Sequence, residues 1–165
     1  MSLHRLRTIH AGFRTVHVLA ACLAFLLLPA AVAAQQDPGA AAAARFDVRN
    51  VMIPMRDGVR LYTRVFTPRQ STERLPIIMK RTPYGADRAE NDFTAYMKEL
   101  VEEGYIFVFQ DIRGRYNSEG TFDMMRPACP EGAAGCIDEG TDTFDTIEWL
   151  LRNVPGHNGR VGMLG

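Results

Sequence analysis

The stretch Tyr105-Ile-Phe-Val-Phe-Gln110 decides the fold class of this chain, and the polar run 111–120 follows it directly. A short, continuous apolar run is typical of a strand that is buried on both faces, as in a parallel sheet. A strand with one face in water alternates apolar and polar residues instead. We therefore predict a central strand over 105–110, with a loop after it at the carboxyl edge of the sheet.

Two further runs, 75–79 and 160–164, have the same short, buried character. Between the three runs, apolar residues recur at helical spacing over about 91–103 and 141–153, which predicts two amphipathic helices. The residues expected to point inward are Phe93, Met97, Leu100 and Val101 in the first helix, and Phe144, Ile147, Leu150 and Leu151 in the second. Alternation of buried strands with amphipathic helices implies a parallel sheet with helices on its faces.

Upstream of these elements, two strand-like segments, 46–53 and 59–67, flank the dipeptide Asp57-Gly58. Asp-Gly between such segments is the strongest short signal for a β-hairpin. The whole pattern predicts the α/β class, with a leading β-hairpin and then alternating strands and helices in a mostly parallel sheet. No helix follows the last strand, so we expect an incomplete fold that continues beyond residue 165.

The first 34 residues have the organisation of a cleaved secretory signal. Three arginines and no acidic residue come first, then the apolar run 18–28, then small residues up to Ala34. The run is short for a membrane span, so an uncleaved anchor is the less favoured alternative. A lipoprotein-type cleavage before Cys22 is also disfavoured, because most of the apolar run follows that cysteine. We expect an exported protein, periplasmic or extracellular, without stable membrane insertion after cleavage.

Residues 35–45 are rich in Gln, Ala and Gly and show no apolar periodicity, so we interpret them as a flexible leader. In the whole chain 19 basic residues balance 19 acidic ones, and loss of the three signal arginines leaves a net charge of −3. No basic patch remains, which excludes nucleic acid as an expected partner.

Two cysteines, Cys129 and Cys136, lie in a segment rich in Pro and Gly that bends easily. In an exported protein such a pair favours a local disulfide. Free thiols are the second alternative. A zinc site is the least favoured, because His157 is the only histidine outside the signal segment.

Five blocks of sequence occur in an order that resembles a known family of enzymes. They are Met55–Tyr62, Arg81–Gly85, Gln110–Gly114 with Ser118–Gly120, Asp142–Leu150, and Asn158–Gly165. Together they resemble the Xaa-Pro dipeptidyl-peptidase and cocaine-esterase group of serine hydrolases, and within it the α-amino-acid ester hydrolases and glutaryl-cephalosporin acylases. The resemblance covers 46–165 and implies the N-terminal part of an α/β-hydrolase domain, truncated before its nucleophile.

The resemblance also implies a site and a chemistry. In this group a tyrosine of the Thr-Pro-Tyr loop donates its hydroxyl to the oxyanion, and the matching residue is Tyr84. A phenol hydroxyl stays protonated at neutral pH and donates as charge develops. Gly165 matches the first glycine of the elbow Gly-x-Ser-x-Gly, so the nucleophilic serine is expected beyond the chain. The expected substrates are small esters, amides or peptides, with no cofactor and no metal.

Several polar residues receive structural rather than catalytic roles. We expect Arg113 to pair with Asp111, or to reach another buried carboxylate or a carbonyl, and so to fix its loop; contact with a substrate is the less favoured alternative. Asp142 and Asp145 lie in the first turns of a predicted helix, where the helix dipole favours acids. Trp149 is expected to pack between that helix and the sheet.

Two residues of types that occur in catalytic triads are not assigned to a triad here. His157 lies in the turn before the last strand, at the wrong end of the sheet, and in this fold the catalytic histidine follows the nucleophile. Ser118 has no Gly-x-Ser-x-Gly setting.

Two other functions compete with the hydrolase. A nucleotide-binding domain is disfavoured, because no Gly-x-Gly-x-x-Gly opens a helix and no Walker lysine is present. A non-catalytic exported fragment or pseudoenzyme module is the second alternative, since the 165 residues hold no nucleophile elbow with its serine and are expected to be inactive by themselves. A serine two residues after Gly165, followed by a glycine two residues further on, would favour the enzyme, whereas a stop codon there would favour the inactive fragment.

Overall fold

The structure, a computed structural model, describes residues 38–164. The expected signal segment, residues 35–37 and Gly165 lie outside the described residues. The strands are β1 Phe46–Pro54, β2 Arg60–Pro68, β3 Leu75–Thr82, β4 Ile106–Asp111 and β5 His157–Leu164. The helices are α1 Pro38–Ala43, α2 Ala89–Thr94, α3 Lys98–Glu103 and α4 Glu139–Asn153, and a 3-10 turn spans Ala86–Arg88.

The five described strands form one sheet in the order β1-β2-β4-β3-β5. β1 and β2 form the predicted antiparallel hairpin, and β2 pairs antiparallel with β4. β3 pairs parallel with β4 on one side and with β5 on the other. All six residues of β4 are buried. The prediction of a central strand within an α/β fold is confirmed.

Each face of the sheet carries its own apolar cluster. Ile106 and Val108 of β4 belong to the cluster under α4, whereas Phe107 and Phe109 belong to the cluster under α2 and α3. This division follows from the two-residue period of a strand, which sends neighbouring side chains to opposite faces. In the second cluster, neighbouring phenylalanine rings lie 5.1–6.3 Å apart, mostly edge to face. That is the arrangement favoured by the charge distribution of aromatic rings.

The helix predicted over 91–103 is wrong in its continuity. The chain turns helical already at Ala86, and the helix breaks between α2 and α3, where Ala95 leaves the helical region at φ −92° and ψ −113°. The N–H of Met97 bonds to the carbonyl of Asp92, five residues back. The predicted inward face survives this break, since Phe93, Met97 and Val101 are all buried.

Two other expectations differ from the structure. Within the expected flexible leader, 38–43 form α1, because alanine favours helix and because Ala42 and Ala43 pack against the phenylalanine cluster. On α4, Phe144 does not point inward; 59% of its surface is exposed, and the Arg56 guanidinium lies 5.9 Å from its ring centre. Helical spacing defines a broad stripe, and Phe144 lies at the edge of that stripe.

The loop after β4 folds back tightly on itself at Gly114. Its N–H donates to the carbonyl of Glu119 at 2.9 Å. A Cβ atom at Gly114 would lie 2.0 Å from the backbone nitrogen of Phe122, and its φ of +70° is unfavourable for other residues. Glycine is therefore required here.

Further along, Cys129 and Cys136 are joined by a disulfide with a Cα–Cα distance of 5.8 Å. The loop they close lies shortly before α4 and is attached to its start, since the N–H of Cys129 donates to the Asp138 carboxylate at 2.6 Å. Asp138 is also the N-cap of α4 and accepts from the N–H of Thr141 at 2.7 Å. The disulfide loop and the start of α4 thus share one carboxylate.

We predict that the protein, purified without reductant, contains no alkylatable thiol at these two positions until reductant is added. For so short a loop the chain-entropy model gives roughly 2–3 kcal/mol of stabilisation at most. Mass spectrometry after alkylation with and without reductant tests the pairing, and Cys129→Ser with Cys136→Ser measures the stability. Two alkylated cysteines without reductant would contradict the prediction.

Candidate functional site

The carboxyl ends of β3, β4 and β5 meet at one edge of the sheet because these strands run parallel. Thr82, the last residue of β3, is in register with Asp111, the last residue of β4, and Lys80 is in register with Leu164 of β5. Open α/β sheets place their sites at this edge. We therefore expect a catalytic or binding site in the loops that follow these three strands.

Tyr84 lies two residues beyond the end of β3 and is 73% exposed. Its N–H donates to the hydroxyl of Thr82 at 3.0 Å, which closes a tight turn. Its phenol hydroxyl has no hydrogen-bond partner among residues 38–164. The residue borders a depression of about 210 Å³ that Lys80 and Arg88 also line. The hydroxyl is thus free to donate at the edge where a reacting group would lie.

A larger cavity of about 650 Å³ lies at the other end of the sheet, lined by residues from 44–46, 68–75 and 101–104. It adjoins the amino end of β3, remote from the carboxyl edge. The larger cavity and the strand topology therefore indicate opposite ends of the sheet for the site. The depression at the carboxyl edge is the better candidate site, because the Tyr84 hydroxyl, a donor without a partner among the described residues, borders it at the end of β3.

Asp111 ties together the loops that follow β3 and β4. Its fully buried carboxylate accepts the N–H of Ala86 at 2.6 Å and the N–H of Asn117 at 3.2 Å. Burial raises the pKa of Asp111, and the two N–H donors oppose that rise. The carboxylate therefore fixes the distance between the Tyr84 loop and the loop 112–120.

Ser118 has a structural role in the same place. Its hydroxyl donates to the carbonyl of Asp111 at 2.6 Å and accepts the N–H of Tyr62 at 2.8 Å. Both hydrogen bonds are within the fold, and the side chain is buried. This agrees with the rejection of Ser118 as a nucleophile.

Arg113 forms the expected ion pair, with a buried carboxylate other than Asp111. Its guanidinium donates to Asp142 at 2.6 and 2.9 Å and to Asp57 at 2.7 and 3.2 Å. Hydrogen bonds from Arg113 lower the pKa of Asp57. One side chain therefore connects the hairpin turn, the loop after β4 and the first turn of α4. The dipole argument for Asp142 missed this partner, because the two residues are 29 positions apart.

Arg81, just before the Tyr84 loop, is a second arginine with a buried side chain. It donates to the side chains of Gln110 at 2.8 Å and Thr143 at 2.7 Å, and pairs with Glu139 at 2.8 Å. Burial lowers the pKa of Arg81. Its Nη2 atom is buried without a hydrogen bond and lies 3.8 Å from Asp142. Sequence reasoning did not single out Arg81, although an arginine at the end of a buried strand signals a buried partner.

Three other sequence candidates form contacts outside the Tyr84 loop. His157 begins β5 at the opposite end of the sheet, where its ring contacts the carbonyl of Leu151 at 3.0 Å. Asp145 pairs with Arg56 at 2.8 Å. Trp149 packs against the cluster under α4, as expected.

Within residues 38–164, no group of three His, Cys, Asp or Glu side chains is arranged to hold a metal ion. No helix in this described part is long and apolar enough to cross a membrane.

Comparison with known proteins gives one consistent family. Residues 57–165 match the family described as X-Pro dipeptidyl-peptidase (S15 family). The cocaine esterase of Rhodococcus sp. (strain MB1 Bresler) is 36% identical over 118 residues, which are 70% of this chain and 18% of that protein.

Two solved structures are similar as well. An aminopeptidase from a marine-sediment Thaumarchaeota archaeon shares 38% identity at a TM-score of 0.65, covering 73% of this chain and 21% of that one. An α-amino acid ester hydrolase shares 39% identity at a TM-score of 0.66, covering 84% and 24%. The chain thus spans 18–24% of the length of these relatives. The predicted α/β-hydrolase fold and the resemblance to this group are confirmed.

We predict that Asp57→Asn lowers the free energy of unfolding at pH 7 by about 1–2 kcal/mol, because one of the two oxygens that accept from Arg113 is replaced and the other loses its charge. The folded pKa of Asp57 lies below its unfolded value, so its contribution is present above the unfolded pKa, about 4, and is lost as pH falls through the folded pKa.

The difference between wild type and Asp57→Asn should therefore shrink in denaturant titrations below about pH 4. Asp47→Asn, at an exposed pair with Arg69, is the control and should change stability little. An Asp57→Asn difference that stays constant down to pH 2 would show that the ion pair with Arg113 does not cause it.

Proposed function

Because the chain belongs to the X-Pro dipeptidyl-peptidase (S15) family, we propose that it is the N-terminal part of an exported serine hydrolase that cleaves small esters, amides or peptides. The observation that carries the proposal is the position of Tyr84, which lies with a hydroxyl unpartnered within residues 38–164 just beyond the carboxyl end of β3, the strand that pairs with β5. The named relatives support it, being an esterase, an aminopeptidase and an α-amino acid ester hydrolase. Candidate substrates are α-amino-acid esters, β-lactam side chains and Xaa-Pro dipeptides.

The proposed reaction passes through an acyl-serine intermediate. A serine beyond Gly165, in the elbow that would follow β5, attacks the carbonyl carbon of the ester or amide. The carbonyl oxygen gains negative charge in the tetrahedral intermediate, and the Tyr84 hydroxyl donates a hydrogen bond to it. As the tetrahedral intermediate collapses, its bond to the alcohol or amine breaks, and the leaving group takes up the proton that the serine hydroxyl gave up. Water then adds to the acyl carbon, the ester bond to the serine breaks, and the serine regains a proton as the acid departs. No cofactor takes part.

In this proposal the described residues supply the scaffold and one oxyanion donor. Thr82 and Asp111 hold the Tyr84 loop at its two ends through the N–H groups of Tyr84 and Ala86. Such a donor assists the reaction because its position is fixed before charge develops. In this proposal the nucleophilic serine follows Gly165, so a variant truncated at Gly165 is expected to be inactive.

We predict that a fluorophosphonate probe labels one serine of the full-length protein, located two residues after Gly165. The serine should react because an activated hydroxyl is a strong nucleophile. The chain ending at Gly165 is the control and should stay unlabelled, Ser118 included. A properly folded full-length protein without a covalent adduct would instead support a non-catalytic module or pseudoenzyme.

We predict that Tyr84→Phe lowers kcat of the full-length enzyme by roughly 10²–10³, or about 2.7–4 kcal/mol, the usual cost of one oxyanion donor. KM and the melting temperature should change little, because the exposed ring is kept and the hydrogen bond strengthens only in the transition state.

Tyr96→Phe removes the same hydroxyl from another exposed tyrosine, one that contacts Asp92 at 3.3 Å, and serves as the matched control. Its kcat should equal that of wild type. If Tyr84→Phe raises KM while kcat holds, Tyr84 binds the ground state; if both constants hold, the residue has no catalytic role.

A further inference from the structure

We propose that Arg115 and Tyr116 are positioning residues that hold Tyr84 in place from its two sides. The inference rests on the proposed function, since it assigns these residues a role through the Tyr84 hydroxyl. It concerns two residues of the loop after β4 that the resemblance does not assign to any task.

Arg115 holds the peptide that precedes Tyr84. Its Nε atom donates to the carbonyl of Pro83 at 3.1 Å. Its guanidinium also lies over two aromatic rings, 5.3 Å from the centre of Tyr116 and 4.9 Å from that of Phe122. A guanidinium stacked in this way keeps its orientation, because the rings attract its charge and limit its rotation.

Tyr116 lies against the residue that follows Tyr84. A Cβ atom built on Gly85 would be 3.4–3.6 Å from three carbons of the Tyr116 ring, so the ring lies over the side of this glycine from which a side chain would project. Gly85 has a φ of +101°, where other residues are strained. The backbone of Gly85 is thus both unusual in conformation and covered by an aromatic ring.

The backbone of Tyr116 is itself strained. With a φ of +46°, it is the one non-glycine residue in the left-handed region among residues 38–164. Neighbouring hydrogen bonds impose this conformation, from Arg115 N–H to Ile112 O at 3.0 Å and from Ser118 N–H to Arg115 O at 2.9 Å. A tyrosine is a poor choice for such a position, whereas Asn or Gly tolerates it. Strain of this kind is retained where it serves a site.

These contacts matter because Tyr84 has few of its own. Its side chain is largely exposed and its hydroxyl has no partner in the described part of the chain. The direction of the phenol therefore depends on the backbone of residues 83–85. Arg115 fixes the carbonyl before Tyr84, and Tyr116 covers the glycine after it.

The test is a set of kinetic variants of the full-length enzyme. Tyr116→Asn removes the ring but tolerates a positive φ, so the melting temperature should be kept while kcat falls roughly tenfold at unchanged KM. Tyr116→Phe keeps the ring and should restore kcat. Arg115→Met, which cannot donate to Pro83, should lower kcat in the same way, and Arg115→Lys should recover part of the loss.

The deciding measurement repeats Tyr116→Asn in the Tyr84→Phe background. If Tyr116 acts through the Tyr84 hydroxyl, the second substitution should have less than a twofold effect there. A tenfold loss in both backgrounds, a loss confined to KM, or wild-type kcat in Tyr116→Asn overturns the inference while leaving the proposed function intact. Wild-type kcat in Tyr84→Phe itself would instead remove the catalytic role of Tyr84, and this inference with it.

Discussion

The complete burial of β4 is the constraint on which the rest of the structure depends. A buried strand that ends in polar residues must find a hydrogen-bond partner for each of them, because an unpaired buried polar group costs about 1–3 kcal/mol. Gln110 meets this demand with Thr63 and Thr146 on neighbouring elements, and Asp111 with the N–H groups of Ala86 and Asn117. The loops at the carboxyl edge are therefore held by the strand they surround.

The buried arginines extend this organisation to α4. Arg113 and Arg81 both reach the first turn of α4 from the carboxyl edge of the sheet, where Asp142 lies with 2% of its side chain exposed. Buried ion pairs contribute little net stability, because desolvation offsets most of the attraction, but removing one partner costs about 3–5 kcal/mol. We infer that these arginines chiefly fix the position of α4 relative to the strand ends. Asp57 brings the hairpin turn into the same arrangement.

The sequence was sufficient for those features that local pattern determines. Buried strands, the hairpin at Asp57-Gly58 and the span of α4 follow from periods of two and 3.6 residues and from turn chemistry. The break at Ala95 and the exposure of Phe144 did not, because tertiary packing decides both. The partners of Arg113 are 29 and 56 residues away in the sequence, so no local sequence pattern predicts them. At the candidate site, the family resemblance was what pointed to Tyr84. The roles proposed for Arg115 and Tyr116 could be inferred only from the structure, in which two loops distant in sequence lie side by side.

An oxyanion donor has to meet two opposing demands, and in the role proposed for Tyr84 different atoms meet them. The hydroxyl must stay unpaired in the resting protein, since a donor already bonded within the fold gains nothing when charge appears on a substrate. Yet it must also be held still, because a donor that reorients during the reaction loses most of its advantage. Around Tyr84 the backbone is held by hydrogen bonds to Thr82, Asp111 and Arg115. The phenol hydroxyl forms no hydrogen bond within residues 38–164. Exposure of the side chain and rigidity of its peptide are therefore compatible, and the oxyanion role proposed for Tyr84 requires both.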